Sequence, residues 1–252
     1  MAYGWRGRFG VILPADNVVF EPEAYSLGLA GVSFHTVRLV TWDREAMPRA
    51  GVEFSSAFAE LGVDGVAYAC AETSFIGGND ANKAIGEGIT ARTALPAVTA
   101  SQAMVEGLRA LGVSRIALAA PYRQSSVEAL AEYLLHAGID PVSVHSRDFS
   151  ATSDDPREWF ATNRQPVGTA RAMALAADHA DAEVVFIAAT NLATMSALPE
   201  LERELGKPVV SSNSALIWSL LTRHGIEAPV ATFGQLGRKK WQPLGTAGGS
   251  GA

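Results

Sequence analysis

The chain repeats itself. "RFGVILPA", from Arg8 to Ala15, returns as "RIALAAPY" from Arg115 to Tyr122, with Pro121 in the place of Pro14. "DGVAYACAETS" is answered by "AEVVFIAATNL". "LPAVTASQAMVEGLRALGV" is answered by "KPVVSSNSALIWSLLTRHGI", with Pro208 on Pro96, Val210 on Val98 and Ser211-Ser212 on Thr99-Ala100. Three segments returning in one order suggest a duplicated unit, with chance likeness between segments of one class as the competing reading.

Within each copy, short apolar runs alternate with helical patterns. "RFGVILP", "GVDGVAYAC" and "LPAVTA" have the continuous apolar character of strands buried on both faces. "SQAMVEGLRALGV" places Met104, Val105, Leu108 and Leu111 at helical spacing, with Ser101 as N-cap and Gly112 as stop. Such alternation predicts an α/β protein with parallel sheets. We therefore expect two pseudo-symmetric lobes, each a parallel sheet flanked by helices, with the active site in the cleft between them. The first spans residues 8–113 with a return helix from the C-terminal region, and the second spans 114–226. Further helices are expected from Asp80, over "SSVEALAEYLLHAGI" with Ser125 or Ser126 as cap, and over "VGTARAMALAADHA" after Pro166. "SRDFSATSDDPREWFATNRQP" is long, polar and proline-bounded, which suits an active-site lid as well as a plain surface connection. Residues 236–252, ending "GTAGGSGA", read as a flexible tail.

Composition narrows the function. Of 252 residues, 20 are basic and 26 acidic, a net charge of -6, and basic residues gather only at "GRKKW". That disfavours a nucleic-acid partner and favours a small molecule. The N-terminus lacks the apolar core of a signal peptide, and no apolar run approaches the ~18 residues of a membrane span, so a cytoplasmic, membrane-free protein is expected. One cysteine, Cys70, forms no internal disulfide. The five histidines are scattered without metal-ligand spacing, no phosphate-binding loop is present, and the glycines of "LGLAGVS" lack a strand-turn-helix setting. The serines of "VSSNS" have no nucleophile elbow around them. An enzyme without metal or dissociable cofactor is the consistent expectation.

Ligands of parallel sheets sit beyond the carboxyl ends of the strands. There the sequence offers Asn17, Cys70, Tyr122 and Ala189-Thr190-Asn191, with Cys70 and Ala189 as equivalent positions of the two copies. A thiol just ahead of a helix feels the positive end of the helix dipole, which favours thiolate, and the free N–H groups there suit a carboxylate. A lone cysteine among alanines is equally at home as a small buried hydrophobe. Spacing alone leaves both readings open.

The "P-x-x-N" of Pro14 to Asn17, "YAC-x-x-x-SF-x-GG" of Tyr68 to Gly78, "PY" at Pro121-Tyr122, "TNL-x-T" of Thr190 to Thr194 and "PVVSSNSALIW" of Pro208 to Trp218 come in a telling order. From about Arg8 to Gly234 the chain resembles the maleate cis-trans isomerase and arylmalonate decarboxylase branch of the aspartate/glutamate racemase superfamily. The resemblance implies two cysteines on opposite sides of a small planar carboxylate, no cofactor, and often a homodimer. It implies Cys70 as the first cysteine, with Asn17 and Tyr122 as carboxylate or oxyanion contacts. Pro14, Ala71 and Glu72 would line the substrate site, and Thr190 and Asn191 would flank the second-cysteine position. That position, 189, is Ala here, and Glu72 stands where a small hydroxyl residue commonly follows the first cysteine. A natural one-cysteine enzyme, an exchange of the second cysteine, and a lineage without catalysis all fit Ala189. The leading expectation is cis-trans isomerisation of a maleate-like dicarboxylate by the Cys70 thiolate. Decarboxylation of an arylmalonate type, racemisation, and carboxylate binding without chemistry are the alternatives. Glu72 has a bland reading too, as a first-turn acid that complements the helix dipole.

Overall fold

The computed structural model describes residues 2–41, 43–153 and 158–243, of 158–160 the backbone alone. The first half runs β1 (Gly7–Pro14), α1 (Phe20–Ser26), β2 (Val32–Leu39), α2 (Ala46–Phe54), α3 (Ser56–Leu61), β3 (Gly65–Tyr68), α4 (Ala71–Phe75), α5 (Gly78–Thr93), β4 (Ala97–Thr99) and α6 (Ala100–Leu111). The second runs β5 (Arg115–Ala120), α7 (Gln124–His136), β6 (Asp140–Ser146), α8 (Glu158–Asn163), α9 (Val167–Ala177), β7 (Val184–Ile187), α10 (Leu198–Leu205), β8 (Val209–Ser211), α11 (Ser212–Arg223) and α12 (Val230–Phe233). Each half forms one four-stranded sheet, in the orders β2-β1-β3-β4 and β6-β5-β7-β8, and every pairing is parallel.

The two sheets use one permutation. In both, the chain starts in an inner strand, moves to one edge, then crosses to the other side, which creates a switch point at the carboxyl ends of β1/β3 and of β5/β7. Phe9 pairs with Gly65 as Ile116 pairs with Val184. Counting on from these partners makes Cys70 and Ala189 equivalent. The edge strands β2 and β6 carry no buried-strand signature in the sequence. "VSFHTVRL" and "DPVSVHS" are mostly half-buried and mix polar with apolar residues, because an edge strand meets solvent.

Strand alternation sorts side chains between two cores. Phe9, Val11 and Leu13 enter the larger one, while Ile12, Val66, Tyr68 and Cys70 face a smaller cluster with Phe58 and Ile89. A Cβ on Gly51 of α2 would meet the Tyr68 ring at 2.6 Å, so glycine lets that helix lie directly on Tyr68. Full burial of such a ring is worth about 2 kcal/mol.

Between the lobes, α6 and α11 pack on one another, and α11 also touches β3 and β4. Their caps are the last residues of the preceding strands. Thr99 Oγ1 accepts the Gln102 N–H at 3.0 Å, and Ser211 forms a capping box with Ser214. Ser101 is therefore not the cap expected from the sequence; it lies inside the first turn and bonds Ser74 at 2.5 Å. Likewise α7 starts after Arg123 without a side-chain cap, so Ser125 and Ser126 fall inside it, and α5 starts at Gly78 rather than Asp80.

The tail expectation also needs correction. Leu236 is buried, Lys239 O accepts the Trp218 indole N–H at 3.2 Å, and the Trp241 indole donates to Glu106 at 3.0 Å. Two apolar anchors dock a segment whose average composition reads as flexible; residues 244–252 lie outside the described residues. Among the described residues no helix is long and apolar enough to cross a membrane.

Candidate active site

Both switch points open into one cavity of about 70 Å³. Pro14 enters it from the end of β1, Cys70 to Thr73 from the end of β3, Pro121 and Tyr122 from the end of β5, and Thr190 and Asn191 from the end of β7. The duplication thus brings four strand ends to one place. Thr190 locks the two lobes together there, since its hydroxyl donates to Ala69 O at 3.0 Å.

Cys70 is the extended residue just before α4, 8% exposed and on the cavity wall. Burial pushes its thiol up to about 11; hydrogen bonds from the Thr73 hydroxyl and N–H oppose this, while the Glu72 and Asp16 charges add to it. Burial thus opposes the thiolate expected from the sequence. Its basis was a helix dipole, and α4 has only five residues. Thr73 is itself held by the Tyr68 hydroxyl at 2.7 Å, which ties the thiol's partner to the small core.

Tyr122 reaches the cavity from the turn after β5, its ring 5.7 Å from that of Phe75. Among the described residues its buried hydroxyl has no hydrogen-bond partner, and burial, followed by the Glu72 and Cys70 charges, raises its pKa well above the ordinary tyrosine value. A buried hydroxyl kept protonated and unsatisfied is a donor awaiting an acceptor.

Glu72 points into the same cavity. Arg44 stands 3.3 Å from its Oε2 and the Ser126 hydroxyl donates to Oε1. Burial raises its pKa, the Ser126 bond lowers it and Asp148 raises it again. The helix-dipole reading of Glu72 gives way to this placement. Ala71 lines the cavity beside it.

Two residues sit differently from expectation. Asn17 is fully buried and does not reach the cavity wall. Its Nδ2 donates to Thr190 O at 3.2 Å, and its Oδ1 accepts the N–H groups of Val19 and Phe20 at 3.0 Å. It braces the start of α1 against the Thr190 turn instead of presenting a donor to substrate. Ala189 is 1% exposed, behind Thr190, with a φ of 85°, the left-handed region that side chains rarely adopt.

Sequence reasoning did not find Arg44, Met47 or Asp16, which lie on the wall without any motif around them. Asp148, Ser150 and Thr162 come from the long polar loop, so its described parts do border the cavity, and Asn163 donates to Asp16 O at 2.8 Å. Residues 154–157 of that loop lie outside the described residues.

A family model for arylmalonate decarboxylase matches residues 11–237. The chain belongs to that family. Arylmalonate decarboxylase of Bordetella bronchiseptica is 30% identical over 220 residues, 85% of this chain and 86% of that protein. Maleate isomerase of Geobacillus stearothermophilus is 25% identical over 255 residues, 91% and 96% of the two chains. In fold, the chain matches the crystal structure of a cysteine-to-alanine variant of the Pseudomonas putida S16 maleate isomerase with maleate. That match has a TM-score of 0.82 at 23% identity and covers 93% of this chain and 98% of that one. The arylmalonate decarboxylase family thus joins isomerases and decarboxylases on one two-lobed α/β fold.

Proposed function

We propose that the protein is a cofactor-independent decarboxylase of a malonate-type diacid in which Cys70 is the sole proton donor to carbon. The observation that carries this reading is a single thiol on the cavity wall, with alanine at the equivalent position of the other lobe and a Tyr122 hydroxyl beside it that has no hydrogen-bond partner among the described residues.

One carboxylate of the substrate is held by the Tyr122 hydroxyl and by backbone N–H groups following Cys70 and Ala189. The other leaves as carbon dioxide, and its bonding electrons pass into an enediolate on the retained carboxyl group. Donors aimed at that developing charge lower the barrier. The Cys70 S–H gives its proton to the carbon, and the resulting thiolate takes one from water. This sequence needs one acid, which a buried thiol held near 11 supplies in its protonated form. Ala189 offers none on the opposite face, so the product is protonated from one side and is not racemised.

Isomerisation of a maleate-like diacid is the second reading, supported by the maleate isomerase relatives and by the two Thr73 hydrogen bonds on the Cys70 sulfur, which favour thiolate. It requires the thiolate to add to the alkene before rotation and elimination. The test is proton NMR in deuterated buffer of ethyl(methyl)malonate, methyl(phenyl)malonate and maleate, with the wild type and Cys70→Ala. Expected is a monoacid carrying one deuterium on the α-carbon, formed at least 1,000-fold more slowly by Cys70→Ala. Cys70-dependent fumarate with every malonate left intact would replace decarboxylation by isomerisation.

A further inference from the structure

Among the described residues the wall around Cys70 carries one aromatic ring, that of Tyr122, beside five charged side chains. The Glu72 and Arg44 side chains are 15% and 17% exposed, and both border the cavity. Among the described residues, the wall carries the carboxylates of Asp16, Glu72 and Asp148 against the guanidinium groups of Arg44 and Arg123. A carboxylate offers about four lone-pair sites, and among the described residues the contacts of Glu72 with Arg44 and Ser126 occupy two of them. The ion pair and Ser126 fix the carboxylate's orientation, so its remaining lone pairs are presented in a set direction. The volume argues in the same sense, since about 70 Å³ is small beside the ~300–1,000 Å³ of pockets that enclose drug-sized ligands.

We propose that Glu72 selects substrates whose second carbon bears a small substituent with N–H donors, an amino group being the simplest, over apolar and aryl substituents. This rests on the decarboxylation reading for its substrate frame. The ammonium faces Glu72, the retained carboxylate faces Tyr122, and the carbon between them faces the Cys70 thiol. An ammonium also withdraws electrons from the carbon that loses carbon dioxide, which stabilises the enediolate without an aromatic ring. The product is then an α-amino acid: carbon dioxide leaves, the enediolate keeps the electron pair, and the Cys70 proton goes to carbon.

The experiment compares 2-amino-2-methylmalonate with 2,2-dimethylmalonate, which differ only by ammonium against methyl, and with methyl(phenyl)malonate. Turnover is followed as carbon dioxide release above the enzyme-free control for the wild type, Glu72→Gln and Glu72→Leu. Affinity is measured calorimetrically on Cys70→Ala, with and without Glu72→Leu. Expected is a preference of at least about 100-fold for the amino compound in the wild type, since a site built around a hydrogen bond strongly rejects the analogue that lacks it. Glu72→Gln, which keeps one acceptor, loses about tenfold of it, and Glu72→Leu abolishes it. Preferences within threefold in the wild type, or unchanged by both variants, would overturn the proposal. If no malonate is decarboxylated while the affinity preference persists and vanishes with Glu72→Leu, the role of Glu72 stands and the decarboxylation reading falls. Glu72→Gln keeps the test decisive should the leucine variant fail to fold.

Discussion

At Cys70, burial and hydrogen bonding pull in opposite directions, and burial is the larger. The pH–rate profile therefore separates the two readings. If the thiol is the acid, kcat/KM stays level from pH 6 to about 10 and declines only as the thiol ionises near 11. Attack by thiolate would instead raise kcat/KM about tenfold per pH unit across that range. Tyr122 gives a second contrast. Its hydroxyl has no partner among the described residues, so Tyr122→Phe is expected to leave the melting temperature unchanged or higher, because no hydrogen bond is lost and a desolvated polar group is removed. The same change lowers kcat/KM about 100-fold if the hydroxyl holds the enediolate. Neither property is legible in the sequence. "YAC" and "PY" place both residues at strand ends, yet which atoms find partners depends on neighbours far along the chain.

Among the elements, α1 has a role that its sequence does not announce. Glu23 on this first-lobe helix accepts the N–H groups of Thr194 at 2.5 Å and Met195 at 2.7 Å with one oxygen, and the Asn213 amide at 2.7 Å with the other. A single buried carboxylate thus anchors the turn that carries Thr190 and Asn191. Burial raises its pKa above the ordinary value, and hydrogen bonds from Thr194, Asn213 and Met195 hold it down. With the folded value raised, the folded state binds the proton more readily, so this group's contribution to stability is fullest below about pH 4.5 and is lost as pH rises through the folded pKa. Glu23→Ala strands three donors and is expected to cost about 3 kcal/mol in urea unfolding. Glu23→Gln keeps most of the fold and flattens the pH dependence of stability above 4.5. "FEPEAYS" reads as any short helix, and the reach of Glu23 across to Asn213 has no local signal. The caps were half-legible: setting Ser211-Ser212 on Thr99-Ala100 aligned the two true caps, while local propensity pointed to Ser101 instead. Ser126, offered as a cap, is instead committed to Glu72 on the other lobe.

For the whole molecule, the docked segment after α12 is a measurable part of the lobe junction. Leu236 is buried, and Trp241 stacks under Arg223, whose partner Glu106 also receives Ser219 at 2.7 Å. A chain ending at Gln235 is expected to unfold about 2–4 kcal/mol more easily than one ending at Pro243, measured by chemical denaturation, because it removes both anchors, Leu236 and Trp241, and leaves Glu106 short of a donor.

The two lobes themselves were written in the sequence, because continuous apolar strands and helical spacing are local patterns and a duplication repeats them in order. So was the neighbourhood of the site, since the carboxyl ends of inner parallel strands are the ends of those apolar runs. Tertiary structure alone decided the chemistry of that neighbourhood. It buried Cys70 so that desolvation pushes its thiol up, turned Asn17 away into a brace, left the Tyr122 hydroxyl unpaired among the described residues, and joined Glu72 to Arg44 and Ser126 from distant elements. Periodicity records which face of an element is apolar. Desolvation and hydrogen-bond satisfaction depend on what the fold sets against each side chain, and that is a property of the assembled molecule.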